Sequence, residues 1–152
     1  MENMGVKSIF FGKNVLVTGG TGFVGSHLVE ELLNQGAKVI TTFEYVDPLS
    51  YFTMKGFDKK VVMAQVDVAD FEGIFDLVTK FEIDYIFHLA AQAIVTTAYA
   101  NPRKTILSNV MGTTNTLESA RLYPKIKAVV VASSDKAYGK LDSGQYIETD
   151  SV

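Results

Sequence analysis

Apolar residues along this chain fall into short unbroken runs separated by stretches of helical period. Asn14-Val15-Leu16-Val17, Val39-Ile40-Thr41-Thr42-Phe43, Val61-Val62-Met63-Ala64-Gln65-Val66, Tyr85-Ile86-Phe87-His88-Leu89 and Ala128-Val129-Val130-Val131-Ala132 are rich in β-branched and aromatic residues and predict strands. Because the runs do not alternate apolar with polar, they predict strands buried on both faces, as in a parallel sheet. Between them, Val24, Leu28 and Leu32, flanked by Val29 and Leu33, predict a helix over Phe23 to Asn34 that Gly36 ends. Phe71, Ile74, Phe75 and Val78 predict another, with Asp70 as N-cap. Asn101-Pro102 opens a long helix marked by Ile106, Val110, Leu117 and Ala120, ending near Tyr123-Pro124. Glu44 to Lys60 has no clean period and reads as a loop or short irregular helix, and Ile9-Phe10-Phe11 as a lead-in against the domain edge. The alternation implies an α/β fold, a doubly wound parallel sheet of about five strands, Rossmann-like.

In such a sheet a ligand binds outside the carboxyl ends of the strands. The first strand runs into Thr18-Gly19-Gly20-Thr21-Gly22-Phe23-Val24-Gly25, which places a glycine turn between a buried strand and a helix start. Gly19 permits the sharp turn, Gly22 lets backbone approach a ligand, and Gly25 lets the helix pack closely. The N–H groups at the helix start then favour a phosphate, so the turn reads as a pyrophosphate cradle. The other strand ends carry Glu44, Asp67, His88-Leu89-Ala90-Ala91-Gln92 and Ser133-Ser134-Asp135-Lys136.

Composition narrows the classes. A length of 152 residues bounds the chain to one domain, and 47% hydrophobic with 20% charged residues fits a folded globular protein. A formal net charge of −3 gives no electrostatic case for nucleic acid or an anionic membrane surface. The absence of cysteine excludes disulfides and thiolate chemistry, and the two histidines, His27 and His88, do not suggest a metal site. No apolar run approaches the roughly 18 residues of a membrane span, and Met1 to Met4 lacks the form of a signal peptide, so a cytoplasmic protein is expected. His88 reads as a hydrogen-bonded structural histidine and His27 as a helix-face residue.

The glycine turn, Asp67-Val68, His88 to Gln92, Asn109-Val110-Met111-Gly112-Thr113 and Ser133-Ser134-Asp135-Lys136-Ala137-Tyr138-Gly139 together resemble the extended short-chain dehydrogenase/reductase family of NAD-dependent epimerases and dehydratases. The likeness runs from about Phe10 to Tyr146. Phe11-Gly12-Lys13, Ala90-Ala91-Gln92, Asn109 to Thr113 and Ser134-Asp135-Lys136 look most like the CDP-glucose 4,6-dehydratase group, from which Gly20 and Val24 depart. The resemblance implies bound NAD, held by Gly19, Thr21, Gly22, Phe23, Val24, Gly25, Glu44, Asp67, Val68, Leu89, Ala90, Ala91, Gln92 and Asn109. Glu44 follows Gly25 by roughly 20 residues, the spacing at which an acid takes the adenosine ribose hydroxyls, and it disfavours a 2′-phosphate. Asp67 and Val68 are expected at the adenine, Ala90 and Ala91 under the cofactor ribose, and Gln92 toward the sugar.

The resemblance also implies a nucleotide-sugar substrate and a catalytic set of Ser134, Asp135 and Lys136. The serine would hydrogen-bond the sugar 4-hydroxyl, Asp135 would protonate the departing 6-hydroxyl with a raised pKa, and Lys136 would act as base or proton shuttle. This ionisable pair favours a 4,6-dehydratase over a 4-epimerase. The family's Tyr-x-x-x-Lys is not found; neither Tyr138 nor Tyr146 has the partner lysine. The chain is therefore expected to be the N-terminal part of an NAD-binding domain, 1–152, without the substrate-binding part and inactive alone, and to form a homo-oligomer through exposed surface. A non-catalytic NAD-binding module is the alternative.

Overall fold

The computed structural model describes residues 8–139, 144, 145 and 147. Tyr146 lies outside the described residues. Five strands form one sheet: β1 (Asn14–Thr18), β2 (Lys38–Phe43), β3 (Val62–Gln65), β4 (Tyr85–His88) and β5 (Ala128–Val131). Their spatial order is β3-β2-β1-β4-β5, and every neighbouring pair is parallel. Connections run outward from the centre in both directions, so a crevice opens where β1 meets β4. This is the doubly wound parallel sheet that the apolar runs imply.

The helices are α1 (Phe23–Asn34), α2 (Tyr51–Met54), α3 (Phe71–Lys80), α4 (Val95–Ala100), α5 (Pro102–Ile106) and α6 (Gly112–Leu122). A π-helical turn, Leu107–Met111, joins α5 to α6, and short 3-10 turns lie at Phe57–Lys59 and Asp135–Tyr138. β1 is apolar throughout because both its faces are covered. Val15 and Val17 pack with Val29 and Leu32 of α1 and with Phe52 and Phe57, while Leu16 faces Ile40, Val78, Ile83 and Ile86 on the other side. Each such side chain contributes about 1.5–3 kcal/mol by leaving water. At the sheet's outer edge the cover thins: Val129 joins the second cluster, but Val130 is 50% exposed.

Several expectations change. The buried face of α1 is Gly25, Ser26, Val29 and Leu32, and Val24 is 64% exposed, because the small residues are the ones that face the glycine turn. Asp70 stands at the N-cap of α3 but its side chain makes no capping bond; its carboxylate lies over Gly73, where an added Cβ would come within 2.7 Å. Of the lead-in, Phe10 packs edge-on to Tyr85 and Phe87, whereas Ile9 and Phe11 remain mostly exposed. His27 stacks on Tyr51 at 4.2 Å and so ties α1 to α2.

The largest difference lies in the long helix expected after Asn101-Pro102. Its start is as expected, with the Asn101 side chain accepting from the Lys104 N–H. Yet Ile106, Val110 and Leu117 point away from the core, and the buried residues are Ser108, Gly112, Asn115, Thr116 and Ser119. Close approach explains the inversion. A Cβ on Gly112 would stand 2.6 Å from Val68 Cγ2, and the Asn115 amide donates to the Val68 carbonyl at 3.0 Å. Small and hydrogen-bonded residues fit that contact where long apolar ones would not.

His88 joins three elements at this point. The Thr18 hydroxyl lies 2.8 Å from His88 Nδ1 while accepting from the Leu89 and Ala90 N–H groups, both at 3.2 Å. With both of those N–H groups donating to it, the hydroxyl is assigned as donor to Nδ1, which places the ring proton on Nε2. Nε2 donates to Thr113 at 3.2 Å, and Thr113 donates on to the Asn109 carbonyl at 2.8 Å. The ring is 2% exposed, and burial lowers its pKa from the ordinary 6.5. Between that lowered value and 6.5 the unfolded chain holds a proton that the folded protein does not. Stability thus falls as pH drops through this window. Asp67 and Asp84, whose carboxyls are held below 3.8, contribute only at lower pH. We expect the thermal midpoint to fall between about pH 7 and pH 5, with the His88 imidazole titrating by NMR below its free value. A midpoint flat over that range, with a normally titrating ring, would refute the buried neutral histidine.

Candidate functional site

The turn between β1 and α1 is shaped by what a side chain would strike. Gly19 has φ of +70°, and a Cβ there would stand 3.0 Å from the backbone of Ala90. A Cβ on Gly20 would meet Thr41 Oγ1 at 2.2 Å. One on Gly25 would stand 2.2 Å from the Gly19 carbonyl, so this glycine packs the helix against the turn itself rather than against the strand. Gly22 differs: an added Cβ would find only the Gly19 carbonyl, at 3.3 Å, and otherwise project into open space. Gly22 is the N-cap of α1, carries no capping side chain, and has no acidic residue in the turn that follows. The N–H groups and positive end of a twelve-residue helix are left facing a cleft.

That cleft encloses about 680 Å³ and runs along the carboxyl ends of β1, β2, β3 and β4. Gly19, Thr21, Gly22 and Phe23 of the glycine turn line it together with Glu44, Val68, Lys104 and the segment Leu89 to Gln92. Thr42, Phe43, Tyr45, Val66, Ala93, Ile94 and Ser108 also line it and were not singled out from sequence. Val24, Gly25 and Asp67 do not line it; Gly25 lies behind the turn, and Asp67 meets the cleft through Lys104. Lys104 donates to Glu44 at 2.9 Å and to Asp67 at 2.6 Å. Burial alone would raise the Asp67 carboxyl, but Lys104 and the Ala69 N–H outweigh it and hold the pKa below 3.8. The same two carboxylates raise the pKa of Lys104 above 10.5. Sequence spacing gave no sign of this lysine, because its partners lie 60 and 37 residues away.

A second cleft, of about 620 Å³, lies on the far side of the wall formed by Leu89 to Gln92. It is lined by His88, Leu89 to Ala93, Asn109, Thr113 and Ala132 to Asp135. Asn109, expected against the cofactor, faces this second cleft and holds the wall: it accepts from the Gln92 N–H at 2.7 Å and donates to the Gln92 carbonyl at 3.1 Å. The Gln92 side chain accepts from the Ile94 N–H. Ser134 and Asp135 enter the cleft, whereas Lys136 does not line it. Lys136 donates to Asp135 at 3.1 Å, and this bond, with Ser134 adding to it, holds the Asp135 carboxyl below its usual range. The raised pKa expected for an acid at this position is therefore not found. Asp135 is exposed, and water and the ammonium both favour its charged form.

A doubly wound sheet with an uncapped helix start at its glycine turn defines a Rossmann-type domain. The sequence profile of the GDP-mannose 4,6 dehydratase family matches residues 16–152, so the chain belongs to that family, within the nucleotide-sugar epimerases and dehydratases. It is 37% identical over 134 residues to CDP-glucose 4,6-dehydratase from Salmonella typhimurium, covering 87% of this chain and 37% of that protein. It is 34% identical to CDP-paratose 2-epimerase from Salmonella typhi, covering 90% and 41%. Among solved structures it resembles Thermus thermophilus UDP-glucose 4-epimerase in complex with NAD, with a TM-score of 0.74, 34% identity, and coverage of 91% of this chain and 43% of the other. The chain thus spans well under half the length of these relatives, which are enzymes.

Gly25→Ala tests the turn. Its methyl would meet fixed backbone, and we expect a loss of about 1–3 kcal/mol in unfolding free energy, measured by urea denaturation. Wild-type stability in that variant would mean that α1 does not pack on the turn as described.

Proposed function

We propose that this chain forms the cofactor-holding part of an NAD-dependent nucleotide-sugar 4,6-dehydratase. The observation that carries the reading is the open side of Gly22 beneath the uncapped start of α1, in a cleft that Glu44 also lines. The turn would hold the pyrophosphate, Glu44 the adenosine ribose hydroxyls, and Asp67 with Val68 the adenine edge. Ala90 and Ala91, small residues on the wall shared by the two clefts, leave room for the cofactor to cross toward Ser134 and Asp135. NAD, when bound, would accept hydride from carbon 4 of the sugar and return it at carbon 6.

The remaining steps fall to side chains. Ser134 would hydrogen-bond the 4-hydroxyl, and Asp135 would protonate the 6-hydroxyl as it leaves as water. Lys136, bound to Asp135, would relay or accept protons. The family's Tyr-x-x-x-Lys is not among these residues, and we expect no turnover from residues 1–152 alone. A 4-epimerase is the second reading, favoured by the Thermus thermophilus likeness; the ionisable Asp135–Lys136 pair supports the dehydratase. Exposed Ile106, Val110 and Leu117, along the run from α5 through the π-helical turn into α6, support self-association. No described helix is long and apolar enough to cross a membrane, and a cytoplasmic location agrees with the reading.

Calorimetric titration of the purified chain with NAD should show one site, and Gly22→Val should weaken it at least about tenfold, since the added side chain would occupy phosphate space. Unchanged affinity in the variant would remove the cradle. Incubation with NAD and CDP-glucose should give no 4-keto-6-deoxy sugar by mass spectrometry; its formation would show that the chain is catalytically complete.

A further inference from the structure

Among the described residues Lys104 is the one cation that lines the first cleft, and it stands among groups from three separate elements. Its place is fixed by α5, where the Asn101 cap holds its backbone N–H. From there the ammonium reaches Glu44, which follows β2, and Asp67, which follows β3. Both carboxylates lie within 2.9 Å of a single nitrogen. Without the cation between them, two like charges would face each other, and the more exposed Glu44 would be driven toward solvent. Asp67 has a second anchor, the Ala69 N–H on Oδ1 at 2.9 Å. Among the described residues Lys104 is the one cation paired with Glu44. The lysine therefore decides where the Glu44 carboxylate sits.

We propose that Lys104 is a positioning and specificity-determining residue for the adenosine end of the cofactor. It ties Glu44 and Asp67 into one acceptor surface and, by cancelling one of their two charges, sets how strongly the cleft rejects a 2′-phosphate. This rests on the NAD-binding reading above. Each carboxylate oxygen keeps a second lone pair, so the tie leaves both residues able to accept from ribose hydroxyls or an amino group. With the lysine in place the three groups sum to one negative charge, and NAD is preferred over NADP. With the lysine neutralised they sum to two, and the phosphate meets stronger repulsion.

The test is calorimetric affinity of the full chain for NAD and for NADP, with Lys104→Met, Lys104→Arg and Glu44→Gln. Lys104→Met should weaken NAD about tenfold and NADP more than that, while thermal stability stays close to wild type because the ion pairs are partly exposed. Lys104→Arg should restore most of the NAD affinity, and Glu44→Gln should narrow the gap between NAD and NADP. A wider gap between NAD and NADP in Lys104→Met separates this role from mere structural support, which would weaken both ligands equally and would overturn the proposal. If Lys104→Met binds NAD within about twofold of wild type, or more tightly, the lysine does not position the site and the proposal falls. If wild type binds neither nucleotide, the cofactor reading falls, and this one with it.

Discussion

The contact between the Thr18 hydroxyl and His88 Nδ1 is the joint on which the upper end of the sheet depends. Thr18 is the last residue of β1 and His88 the last of β4, the two strands between which the crevice opens. The hydroxyl also receives the N–H groups of Leu89 and Ala90 and so turns the chain after β4 back across the glycine turn. Gly19 must lack a side chain because that returning backbone lies where its Cβ would be. Thr113 at Nε2 and Thr116 beside Nδ1 bring in α6. A neutral imidazole suits this place: one nitrogen accepts and the other donates, and no buried charge needs a counter-ion.

One segment, Leu89 to Gln92, is thereby made into a wall with a cleft on each side. It is held at one end by Thr18 and at the other by the paired bonds to Asn109. The π-helical turn around Asn109 adds a residue to the helix at the point where its side chain must reach the wall. A ligand spanning both clefts would pass over Ala90 and Ala91, whose methyl groups are the smallest side chains that still fix the backbone in an ordinary conformation. The separation of the two clefts by one short segment thus follows from two anchors rather than from a large interface.

The legible parts of the sequence were those with a single physical solution. The five unbroken apolar runs gave strands close to the observed bounds, since a run without polar alternation fits only where both faces are buried. The glycine turn was legible from its place between a buried strand and a helix start, although only Gly25 answers a steric demand from within the turn, while Gly19 and Gly20 make room for Ala90 and Thr41 from other elements. The helix beyond Asn101 was legible as a helix but not in its facing. Its contact with the sheet is made by Gly112, Asn115 and Thr116, and their partners Val68 and His88 lie far back in the sequence. Apolar period identifies a buried stripe only when burial is achieved by apolar volume. Lys104 escaped for the same reason, as its meaning lies in two carboxylates brought to it by other elements.

Asp135 and Lys136 show why a strand end bearing the right residues is not yet an acid and a base. In water the pair is held in its charged form, with the carboxylate lowered by the ammonium beside it. Excluding water penalises both charges, raising a carboxyl and lowering an amine. For an ion pair this favours transfer of the proton along the existing hydrogen bond, which leaves a neutral acid at Asp135 and a free amine at Lys136. Those are the two forms that an elimination would use, one for the leaving oxygen and one for the proton beside the ketone. The low carboxyl pKa is therefore a property of the open cleft. On the dehydratase reading proposed above, a substrate covering Asp135 would supply the desolvation that turns the pair toward chemistry.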